Sequence, residues 1–163
     1  PLPIKEGGTG SESKSLVQPQ ICPDRYESGT PNVPGIAGLG AGVKFILEQG
    51  IEKIKQKENS LMGRLLAGLK NIPGVIIYGP PTAEERAAVV SINIESIDSL
   101  EAAVILDQAF DIAVRSGLHC APDAHKTLGT LEAGTVRISL GYFNSVEDID
   151  STLSAIAALA GQG

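Results

Sequence analysis

A chain of 163 residues is long enough for one domain with a substantial core. Its formal net charge of −6 argues against a nucleic-acid-binding surface, and no apolar run approaches the roughly 20 residues that span a bilayer. We therefore expect neither nucleic acid nor membrane as a partner. Two distant cysteines do not form a disulfide framework, so a cytoplasmic protein is expected.

The first part of the chain has the composition of an extended arm. Residues 1–33 are rich in Pro, Gly, Ser and Thr, with one short strand predicted over residues 1–8. We expect this arm to pack on another domain or subunit, and residues 34–163 to form a small domain. The start at Pro1 and the coreless arm also suggest part of a longer protein.

Two helices are predicted next, separated by Gly50. Helical spacing of apolar residues indicates a helix over residues 34–49 and another over residues 51–70. In the first helix the apolar positions are Ile36, Leu39, Val43, Ile46 and Leu47, and in the second they are Ile51, Ile54, Leu61, Leu65 and Leu69.

The rest of the chain alternates strands and helices. Strands are predicted over residues 75–79, 87–94, 112–115 and 135–141, and helices over residues 99–111 and 146–159. Ser145 and Asp148 are spaced as a capping box for the last helix. Two strands in direct succession imply antiparallel pairing. The predicted fold is an α+β sandwich with helices mainly on one face of a small mixed or antiparallel sheet.

Residues 114–130 are predicted to form a loop that concentrates reactive side chains. This segment holds Cys120, both histidines and Arg115. A cysteine is most often a small buried hydrophobic residue. Here, however, nearby Arg and His⁺ favour a nucleophilic thiolate at Cys120. Cys22 has no such neighbours. The spacing of the cysteines and histidines does not suit zinc, so we predict no metal site.

Two other sites are open to two interpretations each. Arg137 alternates with apolar neighbours on its strand, so its guanidinium is either solvated and ion-paired or binds a carboxylate. Gly29 and Thr30 precede a glycine-rich helix, where a phosphate can bind. From these residues alone, a simple turn before the helix is the better interpretation.

Four motifs occur together in one known family: "RYESGTPNVPGIAGLGAG", "GIEKI", "VRSGLHCAP" and "GTVRISLGYFNSVEDID". The chain resembles the C-terminal part of class V aminotransferase-fold enzymes, which use pyridoxal phosphate. It is most similar to the cysteine desulfurases and selenocysteine lyases of the second group. The resemblance implies the small C-terminal domain of a fold-type I enzyme, acting as a homodimer on cysteine or selenocysteine, with a sulfur-acceptor protein as a further partner.

The resemblance also implies roles for particular residues. Cys120 resembles the cysteine that takes the substrate sulfur as a persulfide, and Arg137 the arginine that binds the substrate carboxylate. Thr30, after Gly29, resembles the threonine that reaches the cofactor phosphate of the other subunit. Arg115 and His119 flank the active-site entrance, where they would contact substrate.

The chain departs from the family pattern at two points. Leu118 stands where the family often has a second histidine, and the lysine that binds the cofactor lies upstream of this region. These residues alone are therefore expected to be inactive. Two alternatives remain: a related transaminase, epimerase or kynureninase-like enzyme in which Cys120 is incidental, and a non-catalytic α+β binding module.

Overall fold

The computed structural model describes residues 2–12 and 14–161. The chain divides into two compact units, Pro1–Gln49 and Gly50–Gly163, and each is described by itself. This division falls after the first long helix, which has no buried residue. The expected boundary at residue 33, between an arm and the small domain, stays a prediction.

The first unit is a loop followed by helix α1, Val33–Gln49. The strand predicted over residues 1–8 is absent from its described part, residues 2–8; instead the Gly29 N–H donates to the carbonyl of Gly8 at 2.8 Å. Gln18 organises the loop, because its side chain accepts from the Gly7 N–H and donates to the Asp24 carbonyl. The Asn32 side chain accepts from the Gly35 N–H and caps α1.

The second unit is an α+β domain, as predicted. Its elements in chain order are α2 (Ile51–Leu69), β1 (Val75–Tyr78), β2 (Val89–Ile94), α3 (Ser99–Phe110), β3 (Arg115–Gly117), α4 (Pro122–Leu128), β4 (Thr135–Ser139) and α5 (Val146–Ala160). The strands form one sheet in the order β1-β2-β4-β3, with every neighbouring pair antiparallel. Of the two predicted sheet types, mixed and antiparallel, the structure has the antiparallel one.

Local sequence signals account for the helix ends. The Asp98 carboxylate accepts from the Leu100 N–H and begins α3. The Ser145 and Asp148 side chains each accept from the other's backbone N–H, which confirms the predicted capping box of α5. The hydrogen bond that the Asp148 carboxylate accepts from the Ser145 N–H lowers the pKa of this carboxyl group.

Helices α2, α3 and α5 share one core with the sheet. Helix α3 packs against β2, β3 and β4, and α5 contacts both α2 and α3. The apolar face of α2 is buried in its C-terminal half only, since Ile51 is 69% exposed while Leu65 and Leu69 are fully buried. Between α2 and α5, the Arg64 guanidinium makes a bidentate contact with Asp150, and this hydrogen bond lowers the pKa of Asp150.

Two further predictions differ from the structure. Strand β3 begins at Arg115 rather than ending there, and the predicted loop over residues 114–130 contains the short helix α4. Pro122 in the first turn and Gly129 at the end, with φ of 72°, are the usual start and stop signals of a helix. In the part of the chain that the structure describes, no helix has the length and apolar content to cross a membrane.

Candidate active site

The two faces of the sheet differ in composition. Residues directly opposite each other in an antiparallel pair lie on the same face. By this register, Ser91 of β2, Arg137 of β4 and Arg115 of β3 share one face, which is opposite the face that carries Ile92 and Val136. The apolar face packs in the core, so the polar face is the one that the domain's own core does not use.

Arg115 and Arg137 are direct neighbours across β3 and β4. Two like charges at such positions repel each other. Within the described residues neither guanidinium makes a hydrogen bond or an ion pair, and the Nε of Arg137 is buried without a partner. Two adjacent cations with free N–H groups have the chemistry to bind an anion, and a carboxylate matches the guanidinium fork.

Cys120 lies on a tight turn directly after β3. The turn comprises residues 118–121 and is closed by a hydrogen bond from the Ala121 N–H to the Leu118 carbonyl at 2.8 Å. Its central residues, His119 and Cys120, have φ of 52° and 59°. A left-handed backbone at a residue with a side chain costs roughly 1–2 kcal/mol, and such strain is concentrated at functional sites. The Cys120 thiol is free and exposed.

His119, on this turn, contacts the strand that carries Arg137. Its Nε2 lies 3.2 Å from both the carbonyl and the hydroxyl oxygen of Thr135. Burial is the largest cause that lowers the pKa of His119, and the charge of Arg137 is the second. His125 and Arg115 lower it by smaller amounts, whereas the hydrogen bond to the Thr135 carbonyl raises it. The imidazole is therefore neutral at neutral pH. Because a carbonyl can only accept, Nε2 carries the hydrogen, and the buried Nδ1 is an unpartnered lone pair.

The sequence interpretation assigned a positive charge to His119 as support for the Cys120 thiolate. The lowered pKa of His119 removes that support at neutral pH. Arg115 and Arg137 are the cations that remain on this face. Cys22, like Cys120, is free and exposed, but it lies in the other unit.

A second histidine supports the same segment, and the sequence did not reveal its role. His125 on α4 is buried, and its Nδ1 lies 2.8 Å from the hydroxyl of Thr130. Its ring centroid is 5.7 Å from that of His119. Asn93 on β2 was also missed; it donates to the Gly134 carbonyl at 3.1 Å, while its buried Oδ1 has no partner in the part of the chain that the structure describes. Only the position of Asn93, two residues after Ser91, could have placed it on the polar face.

Gly29 and Thr30 lie in the first unit, before α1. Gly29 has φ of 90°, a conformation suited to glycine, and its N–H is occupied by Gly8. N–H groups at the start of α1 are also already hydrogen-bonded, to the Pro31 carbonyl and to the carbonyl and side chain of Asn32. Thr30 is exposed, and within the described residues its hydroxyl has no hydrogen bond. In residues 2–12 and 14–161, no three His, Cys, Asp or Glu side chains are grouped to hold a metal ion.

Comparison with known proteins identifies the family of this chain. The model of the aminotransferase class-V family matches residues 2–152. A probable cysteine desulfurase of Pyrococcus abyssi is 37% identical over 161 residues, which is 96% of this chain and 38% of that protein. A probable cysteine desulfurase of Xylella fastidiosa is 37% identical over 134 residues, or 82% of this chain and 31% of the relative. The chain thus spans about two fifths or less of the length of these relatives.

Solved structures give the same result. The apo cysteine desulfurase of Thermococcus onnurineus NA1 superposes with a TM-score of 0.84 at 37% identity, over 99% of this chain and 40% of that one. A cysteine desulfurase of Escherichia coli, at 24% identity and a TM-score of 0.79, covers 99% of this chain and 39% of its own, and shows the fold alone. With nearly its whole length matched by the family model, the chain belongs to the class-V aminotransferase family.

Proposed function

We propose that the chain is the C-terminal part of a pyridoxal-phosphate-dependent cysteine desulfurase that converts L-cysteine to L-alanine and leaves a persulfide on Cys120. The observation that carries this proposal is the exposed thiol on a strained turn, directly after the strand whose Arg115 pairs with the unpartnered Arg137. Relatives named cysteine desulfurase, which match over 82–96% of the chain, support it.

The residues present fit a phosphorylated cofactor. Thr30 offers a free hydroxyl, and Gly29 contributes its left-handed backbone rather than an N–H group. In the proposed homodimer these two residues hold the phosphate of the partner subunit's cofactor. When bound, pyridoxal phosphate withdraws electrons from the amino acid and makes its Cβ–S bond labile. We also propose that the 163 residues of this chain alone do not bind the cofactor covalently.

The substrate is oriented by the polar face of the sheet. Arg137 binds the carboxylate of cysteine, and Arg115, its neighbour across β3 and β4, adds the second positive charge. The anion relieves the repulsion between the two guanidinium groups and occupies the free Nε of Arg137. The lone pair of His119 Nδ1 is the acceptor at the entrance of this site.

Cys120 then removes the sulfur. The thiolate Sγ forms a bond with the substrate sulfur as the Cβ–S bond of the substrate breaks, and the carbon skeleton is protonated and released as alanine. The sulfur stays on Cys120 as a persulfide, which a sulfur-acceptor protein removes. The exposure of Cys120 gives both the substrate and the acceptor access to the thiol. Selenocysteine as a second substrate and a cytoplasmic location, where the thiol stays reduced, belong to the same proposal.

The test compares the two cysteines in the full-length protein. Cys120→Ser should keep the cofactor absorbance but release less than about a hundredth of the wild-type sulfide and alanine, because the nucleophile is lost. Cys22→Ser is the matched control and should retain wild-type rates. If Cys120→Ser still forms alanine and sulfide at the wild-type rate, the chain belongs to an enzyme of this family without a cysteine nucleophile.

A further inference from the structure

Two histidine–threonine contacts tie the segment around Cys120 to the chain that follows it. His119 Nε2 contacts Thr135 at 3.2 Å, and His125 Nδ1 contacts the Thr130 hydroxyl at 2.8 Å. The pairs lie side by side, since the two imidazole rings are 5.7 Å apart at an angle of 48°. The first contact reaches the first residue of β4, and the second reaches the short segment between α4 and β4.

The inner contact is the better protected of the two. His125 is 5% exposed and Thr130 is 4% exposed, whereas His119 is half-buried. The backbone reinforces the pair, because the Thr130 N–H donates to the His125 carbonyl at 2.8 Å. The Thr130 carbonyl then accepts from the Gly134 N–H, just before β4 begins. His125 therefore fixes the end of α4 against the start of β4.

The turn of Cys120 needs such support. Its central residues are both left-handed, and one backbone hydrogen bond, from Ala121 to Leu118, closes it. Helix α4 follows immediately, and the His125 N–H donates to the Ala121 carbonyl at 3.2 Å. This hydrogen bond links α4 directly to Ala121 and therefore to the turn.

We propose that His125 is a positioning residue for Cys120: bonded to Thr130 and packed beside His119, it holds the left-handed turn that presents the thiol. This inference rests on the proposed role of Cys120 as the sulfur nucleophile. The competing interpretation is that His125 is a satisfied core histidine whose only effect is on stability.

Three substitutions in the full-length protein test the His125–Thr130 hydrogen bond separately from the packing of His125 beside His119. Thr130→Val removes the hydroxyl at nearly constant volume. His125→Phe keeps a ring beside His119 but removes Nδ1, and His125→Asn keeps a polar group near the position of Nδ1. Thr127→Val is the matched control, because its hydroxyl bonds the Asp123 carbonyl within the same helix and is exposed.

The first measurement is amide hydrogen exchange, resolved to the Ala121 N–H. Exchange should be about tenfold faster in Thr130→Val and His125→Phe, because the loss of one buried hydrogen bond loosens the turn. His125→Asn should restore protection, and Thr127→Val should leave it unchanged. Unchanged exchange at Ala121 in both Thr130→Val and His125→Phe overturns the inference, whatever the activity.

The second measurement is steady-state turnover of cysteine. Thr130→Val and His125→Phe should lower kcat about tenfold with KM within about twofold, and His125→Asn should recover most of kcat. Faster exchange with unchanged kcat also overturns the inference. Cys120→Ser, assayed alongside, tests the proposed function separately: wild-type turnover in that variant refutes the nucleophile, and its loss leaves the His125 result to stand on its own.

Discussion

Alternate residues of β2 and β4 lie in opposite environments on the two faces of one sheet. On the helix-covered face, Ile92 is fully buried and Val136 is 1% exposed. On the other face, Arg115 and Arg137 stand opposite each other, and the Nε of Arg137 and the Oδ1 of Asn93 are buried without partners among the described residues. The first face provides stability. The second has unfavourable features that a bound ligand would relieve, which is the pattern of a functional site.

The largest expected effect is on the helix-covered face. Ile92→Ala should lower the free energy of unfolding by about 2–5 kcal/mol, because the side chain is fully buried among the helices and leaves a cavity. Ser91→Ala, one residue earlier and on the other face, should change it by less than about 0.5 kcal/mol. Urea denaturation of the chain measures both. Equal effects at the two positions would mean that the faces do not differ as described.

The sequence predicted the helix-covered face better than the polar one. Periodic apolar residues and the capping box of Ser145 and Asp148 were sufficient to locate α2, β2 and α5. The exposed apolar stripe of α1 was also located, but its spacing could not reveal that no residue of α1 is buried. Periodicity reports that a face is apolar and not which surface covers it.

The polar face required the structure. The pairing of Arg115 with Arg137 depends on strand register, because a shift of one residue would place them on opposite faces. The sequence grouped His119, Cys120 and His125 in one segment but treated it as a loop. The start and stop signals of α4 were not recognised in the sequence. Nothing in the sequence predicted a left-handed turn at two residues that both carry side chains. Thr130 and Asn93 carry no motif of their own.

The next largest effect is on the polar face. Arg137→Ala in the full-length protein should raise KM for cysteine roughly 10- to 100-fold, because the proposed charged, two-point contact with the carboxylate would be lost. Arg137→Lys should recover only part of this loss, since an ammonium group lacks the planar fork. The same Arg137→Ala should not destabilise the fold, because it removes a repulsive neighbour of Arg115. An unchanged KM, or a loss of stability as large as that of Ile92→Ala, would contradict the proposed division of roles.

The smallest effect is the pH dependence that His119 adds to stability. Burial and the charge of Arg137 hold its pKa below the usual 6.5 in the folded protein. The unfolded chain therefore binds the proton more readily, so the free energy of unfolding should fall as pH drops below about 6.5 and level off below the folded-state pKa. His119→Gln should flatten this part of the profile, while Arg137→Ala should raise the pKa of His119, because the second cause of the shift is removed. NMR titration of the His119 ring in the wild type and in Arg137→Ala measures the difference directly. If the pKa of His119 does not rise in Arg137→Ala, the imidazole and the guanidinium do not share the electrostatic environment that the proposed substrate site requires.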